Sequence, residues 1–232
     1  QLGTGHAVLQ AAPLLQGRCH QVIVFHADMP LFRVETLQAL LDCHRQRNAT
    51  LTILTVEPDE PRGFGRIVRD EAGRITAIVE DHEATPQQRA IREMNTAMYV
   101  FDADWLWAHL PRLPLSPKGE YYLTDLVAMA AGEDAPIASL PCADPTEALG
   151  INTRVHLAEA EAVLRRRINQ AWMLAGVTMA DPATTYIEAE VQIAPDTVLL
   201  PNTHLQGRTT IGRHCVIGPN SIVRDSCIGN HC

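Results

Sequence analysis

Asp28 is the carboxylate best placed for chemistry in this 232-residue sequence. It follows the apolar run Gln21-Val22-Ile23-Val24-Phe25 and precedes Met29-Pro30-Leu31. Such a run reads as a buried strand, and open α/β sheets bind ligands beyond the carboxyl ends of their strands. A carboxylate there suits a metal ion or a sugar hydroxyl; it equally suits a turn ahead of Pro30. Gly3-Thr4-Gly5 can bring backbone N–H groups close to a nucleotide at a helix start. Gly63-Phe64-Gly65-Arg66 offers a second close approach of the backbone, or a plain turn before a strand. Glu80 stands beside Asp81-His82-Glu83, a cluster that otherwise reads as a solvated face. Asn95 opens a strand with Thr96, and Asn152 precedes a helix, where N-capping is the default role.

The elements that must hold these groups follow from periodicity. A helix is expected over residues 4–15, with Thr4 as its N-cap, and a buried strand over 21–25. An amphipathic helix over 34–47 and a strand over 49–56 continue the alternation, which argues for a parallel sheet with helices on its faces. Residues 67–69 and 75–79 flank Asp70-Glu71-Ala72-Gly73 as a hairpin. A strand at 98–101 and a helix at 122–131 come next. A long helix over 153–174 ends at Gly176.

From Ile187 a branched aliphatic recurs every sixth residue: Ile193, Leu199, Leu205, Ile211, Ile217 and Val223. Four residues after each comes a compact one: Val191, Thr197, Thr203, Thr209, Cys215, Ser221 and Cys227. That period fits a parallel β-helix whose short faces stack their aliphatics into one column. The pattern slips once, with Ile228 five places after Val223 instead of six. The net charge of −8 (19 basic against 27 acidic) disfavours a general grip on nucleic acid or an anionic membrane. No apolar run reaches the ~18–20 residues of a membrane span. The six scattered cysteines form no C-x-x-C pair and suggest a reducing cytoplasm. Cys215 reads as packing, although His214-Cys215 and His231-Cys232 invite a metal reading.

The chain resembles the bacterial bifunctional N-acetylglucosamine-1-phosphate uridyltransferase / glucosamine-1-phosphate acetyltransferases. The match is carried by Leu2-Gly3-Thr4-Gly5-His6-Ala7, Asp28-Met29-Pro30-Leu31, Gly63-Phe64-Gly65-Arg66-Ile67 and Ile78-Val79-Glu80. It continues through Glu93-Met94-Asn95-Thr96, Gly119-Glu120-Tyr121-Tyr122-Leu123-Thr124-Asp125 and Gly150-Ile151-Asn152, then Asp181-Pro182 and the hexads. The resemblance implies a partial Rossmann-like α/β nucleotidyltransferase domain over 1–152 and a linker helix over 153–176. A truncated left-handed parallel β-helix follows over 177–232. It also implies that UTP and N-acetylglucosamine 1-phosphate form UDP-N-acetylglucosamine on Mg²⁺ held by Asp28 and Asn152. Gly3 and Thr4 would lie at the uracil, and Gly65, Glu80 and Asn95 at the sugar. His26 and Ala27 would line the substrate site where the family has an aromatic residue and a glycine. A related nucleotidyltransferase of other sugar or base, or a non-catalytic subunit of the same fold, are the alternative readings. Acetyl-CoA chemistry, a homotrimer and the glycine-rich phosphate-gripping loop belong to a fuller chain, so this stretch is expected to be a fragment without turnover of its own.

Overall fold

The computed structural model describes residues 2–58, 61 and 63–232. The chain divides into two units, Gln1–Gly150 and Ile151–Cys232.

The first unit is a helix-covered sheet. Its elements run α1 (Thr4–Leu9), α2 (Ala12–Leu15), β1 (Gln21–Val24), α3 (Val34–Gln46), β2 (Leu51–Val56), β3 (Arg66–Arg69) and β4 (Ile75–Val79). Then come α4 (Pro86–Arg89), β5 (Met94–Asp102), α5 (Ala103–His109), α6 (Asp125–Gly132) and β6 (Ile137–Pro141). The strand order is β4-β3-β5-β2-β6, with β1 also paired to β5. β2 and β6 are parallel. β5 runs antiparallel to β1, β2 and β3, so the sheet is mixed rather than parallel. The strand–helix–strand pattern of residues 21–56 is real, but β5 inserts between β1 and β2 and reverses the local direction.

Alternation along β5 sets the two covered faces. Tyr99 and Phe101 point with Leu51 and Ile53 toward Leu106, Trp107, Leu126 and Val127 of α5 and α6. Met98 and Val100 point with Leu54 toward Leu37, Leu40 and Leu41 of α3. β2 is buried throughout because it has a strand on each side and helices on both faces.

Four local expectations change. The helix over 4–15 breaks at Gln10–Ala11, since Pro13 has no N–H to give and its ring would meet the carbonyl of Leu9. Gly3, not Thr4, occupies the N-cap position, and the Thr4 hydroxyl accepts instead from Leu123 N–H at 3.0 Å. The helix expected from Tyr122 starts at Asp125, because Tyr121 is held extended by hydrogen bonds to Leu2 O and from Gly5 N–H. β1 also stops at Val24, leaving Phe25 52% exposed.

In the second unit α7 (Arg154–Leu174) is capped by Thr153, whose hydroxyl accepts from His156 N–H at 3.2 Å. Asn152 is therefore not the cap. The chain then winds as a three-sided coil. One side stacks β7 (Thr178–Met179), β10 (Val198–Leu199) and β13 (Val216–Ile217). The second stacks β8 (Tyr186–Ile187), β11 (His204–Gln206) and β14 (Ile222–Arg224). The third stacks β9 (Gln192–Ile193), β12 (Thr210–Ile211) and β15 (Cys227–Ile228). All pairings are parallel. The aliphatic column from Met179 to Ile217 is buried, with Val223 and Ile228 only partly so. The sequence slip is visible as Ile211 pairing with Ile228 in place of residue 229. Corners take the left-handed conformation at Asp196, Asn202 and Asn220, whose short polar side chains tolerate it, and at His214. Thr197, Thr203 and Thr209 are fully buried and donate to Gly212 O, Leu200 O and Gln206 O, so no hydroxyl in that row lacks an acceptor. Cys215 occupies the same row, with Sγ 3.0 Å from Gly229 O, while His214 stacks on His231. All six cysteines carry free thiols. Among the described residues no helix is long and apolar enough to cross a membrane.

Candidate active site

Segments far apart in sequence converge on one edge of the first unit. The Gly3-Thr4-Gly5 turn is laced to residues 121–123. Tyr121 N–H donates to Leu2 O, Gly5 N–H donates to Tyr121 O, and Leu123 N–H donates to the Thr4 hydroxyl. A Cβ at Gly3 would lie 2.6 Å from Tyr121 O, and the residue holds φ at 92°, so glycine is required twice over. The turn, with Glu120 and Tyr122, lines an open cleft of about 450 Å³.

From Thr124 the network continues to Glu80, whose Oε1 accepts the Thr124 hydroxyl at 3.2 Å. Gly65 lies beside it: a Cβ there would press on Ile78 at 2.9 Å and stand 3.6 Å from Glu80 Oε2. Gly65 O in turn accepts Asn95 N–H at 2.9 Å. Gly65, Glu80 and Asn95 are thus one corner, held by the β3–β4 hairpin and the start of β5. Asn95 is only 5% exposed. Its Nδ2 donates to the Tyr99 hydroxyl at 2.7 Å and its Oδ1 accepts Ala97 N–H at 2.9 Å. Ala97 holds φ at 58°, a strained choice for a residue with a Cβ.

The charge cluster after Glu80 is partly structural, contrary to a solvated-face reading. Buried Arg66 pairs with Asp81 at 2.9 Å and also bonds Phe64 O. Asp125, at the start of α6, has its carboxyl raised by burial first and then by the charges of Glu83 and Glu80. Burial, with Glu80 adding, likewise raises the Tyr99 phenol.

Asp28 belongs to a second cluster. It lies past the carboxyl end of β1, its side chain 44% exposed and 3.9 Å from His26 Nδ1. Met29 N–H closes the turn onto His26 O. Asp28 thus sits in a turn and keeps an open carboxylate. The following residues are anchored at long range, where the sequence carries no signal. Arg33 N–H donates to Glu147 Oε2 at 3.0 Å and its guanidinium reaches Asp144 Oδ2 at 3.0 Å. A Cβ on Gly150 would touch Met29 at 3.7 Å, so the first unit ends against the Asp28 turn. Asn152 lies in the second unit, where its backbone N–H donates to His156 Nδ1. Among the described residues no three His, Cys, Asp or Glu side chains gather as a metal cluster. The donor set on offer is hard oxygen, the chemistry Mg²⁺ prefers, and such a cation usually keeps waters and phosphates in its other positions.

Residues 1–144 match the family described as Nucleotidyl transferase. The chain belongs to the nucleotidyl transferase family. Residues 190–225 match Bacterial transferase hexapeptide (six repeats), in agreement with the coil. The bifunctional protein GlmU of Geobacillus sp. (strain WCH70) is 48% identical over 231 residues, which is 99% of this chain and 50% of that protein. Those of Geotalea uraniireducens (strain Rf4) and Heliobacterium modesticaldum (strain ATCC 51547 / Ice1) are 45% identical over 99% of the chain and 44% identical over 100%. The chain spans about half the length of the curated relatives it matches. Within the transferase unit, hydrogen bonds draw Gly3-Thr4-Gly5 to residues 121–123, Glu80 to Thr124 and Gly65 to Asn95, while Asp28 stands in its own turn.

Proposed function

We propose that the chain is part of an enzyme joining UTP to N-acetylglucosamine 1-phosphate. A phosphate oxygen of the sugar phosphate attacks the α-phosphorus of UTP. The bond from that phosphorus to the bridging oxygen breaks, and pyrophosphate leaves with the electron pair. The observation that carries the reading is the single corner made by Gly65, Glu80 and Asn95, tied through Thr124 to the Gly3-Thr4 turn. Glu80 keeps an oxygen to accept from a sugar hydroxyl, and Asn95 keeps one amide N–H. Gly3 and Thr4 bring bare backbone to the uracil, and His26 and Ala27 line the approach beside Asp28. Asp28 and Asn152 would hold Mg²⁺, which supplies charge neutralisation at the reacting phosphates.

The relatives named bifunctional protein GlmU support a chain with two activities, and the match to bacterial transferase hexapeptides supports a second transferase half. N-acetylglucosamine and uridine as the specificities, acetyl-CoA for that half and a homotrimer of the fuller protein belong to the same proposal. Six free thiols support a reducing cytoplasm. Calorimetric titration with UDP-N-acetylglucosamine, UDP-glucose and GDP-mannose, each with Mg²⁺, tests the proposal. Tightest binding of UDP-N-acetylglucosamine is expected. Preference for GDP-mannose would favour a nucleotidyltransferase of other specificity, and binding of none would favour a non-catalytic subunit.

A further inference from the structure

Beneath the Gly65–Glu80–Asn95 corner lies Tyr99, a residue the family motifs do not mark. Its ring is buried and tilts against Phe101 at 5.6 Å and 41°. Its phenol oxygen accepts from Asn95 Nδ2 at 2.7 Å. The orientation of that amide is decided by its other end, where Ala97 N–H donates to Asn95 Oδ1 at 2.9 Å. Flipping the amide would set NH₂ against the Ala97 N–H, so the oxygen must face Ala97 and the nitrogen must face Tyr99. The phenol is then an acceptor toward Asn95, and its own proton needs a partner elsewhere, because a buried hydroxyl proton without one is costly. Burial first, and the charge of Glu80 after it, raise this phenol, so it keeps its proton. Glu80, in the same corner, accepts the Thr124 hydroxyl at 3.2 Å.

We propose that Tyr99 is a positioning residue of the sugar subsite. Its phenol oxygen accepts from the amide nitrogen that the Ala97 N–H turns toward it, so the Asn95 carboxamide is pinned at both ends. One oxygen thereby holds the donor that meets the sugar, without touching the sugar. The inference rests on the nucleotide-sugar reading for its ligand, but its structural half stands on the Tyr99–Asn95–Ala97 geometry alone. A merely structural Tyr99 would influence folding and every ligand alike. A positioning Tyr99 influences the sugar end and leaves the nucleotide end unchanged.

The test is Tyr99→Phe, which keeps the ring and its packing and deletes one oxygen. Two quantities are read on the 232-residue chain: hydrogen exchange of the Asn95 side-chain amide by ¹⁵N NMR without ligand, and affinity for UDP-N-acetylglucosamine against UDP by calorimetry. Loss of one buried hydrogen bond predicts exchange at Asn95 faster by about tenfold and UDP-N-acetylglucosamine affinity weaker by about tenfold, with UDP affinity unchanged. Unchanged Asn95 exchange, or equal losses for both ligands, overturns the proposal. If the unsubstituted chain binds neither ligand, the functional reading fails and the ligand half of the proposal with it, while the amide exchange still decides whether Tyr99 holds Asn95. Should Tyr99→Phe not fold, incorporation of 3-fluorotyrosine keeps the shape and weakens the phenol as an acceptor. Faster Asn95 exchange is then expected, and no change overturns the proposal.

Discussion

The backbone N–H of Arg33 donates to the side chain of Glu147 at 3.0 Å, across 114 residues of sequence. Glu147 is buried, and the Arg33 guanidinium stands 3.6 Å from its other oxygen while bonding Asp144. The clamp joins the loop that starts at Asp28 to the last turn of the first unit. Glu147→Ala leaves a backbone donor without its acceptor and a cation short of one partner. With the guanidinium partly in water, the loss should be about 1–3 kcal/mol of unfolding free energy. Urea denaturation reads it directly, and Glu147→Gln, which keeps an acceptor, should lose less. An unchanged midpoint for Glu147→Ala would mean the clamp contributes nothing.

Ala97 is held at φ 58° between the Asn95 oxygen it bonds and the rest of β5. A residue with a Cβ in that region is disfavoured by about 1–2 kcal/mol, and glycine is not, although glycine loses more entropy on folding. Ala97→Gly should therefore stabilise the chain by up to about 1 kcal/mol, the reverse of the usual effect in a strand. A lower melting temperature for Ala97→Gly would contradict this.

Asp125 has its carboxyl raised by burial, then by Glu83 and Glu80. The folded state holds that proton more tightly than the unfolded state. The stability linked to it is complete below the unfolded Asp value of about 3.9 and is lost as pH rises through the raised folded value. Asp125→Asn removes the penalty, so the variant should be more stable than the parent at pH 7, with the advantage gone near pH 3.5. Chemical denaturation at the two pH values checks the sign; an advantage that grows on acidification would be wrong for this account.

Thr203 is fully buried and its hydroxyl donates to Leu200 O at 2.7 Å, with Ile217 O at 3.4 Å. Thr203→Val keeps the volume but withdraws the donor, which should cost about 1–3 kcal/mol. Proteolysis of the coil should speed up accordingly, whereas Gln192→Ala on the exposed face should be close to neutral. Equal protease resistance of the parent and Thr203→Val chains would show that the hydroxyl row is dispensable.

How much the sequence tells depends on the range of the interaction. The hexads from Ile187 to Ile217 announced the coil because each aliphatic meets the same environment once per side, and the slip at Ile228 survives as a shifted register. α3 and β2 were legible for the same local reason. Thr4 was not, since its hydroxyl answers to Leu123, a partner no window around Thr4 contains. The direction of β5 and the Arg33–Glu147 and Arg66–Asp81 pairs were equally hidden, because strand order and long-range pairing leave no period. At the candidate site, residue types flagged Gly65, Glu80 and Asn95 one by one. Their meeting at one corner, and the buried Tyr99 under it, became visible only in three dimensions.

The central claim is that the Gly3-Thr4 turn and the Gly65–Glu80–Asn95 corner form one nucleotide-sugar site. Titration of the ¹⁵N-labelled chain with UDP-N-acetylglucosamine and Mg²⁺ tests it most directly. The account predicts saturable shifts at Gly3, Thr4, Gly65, Glu80 and Asn95 that share a single dissociation constant, with Leu199 and Leu205 of the coil unmoved. Shifts confined to the coil, or different constants for the turn and the corner, would contradict it.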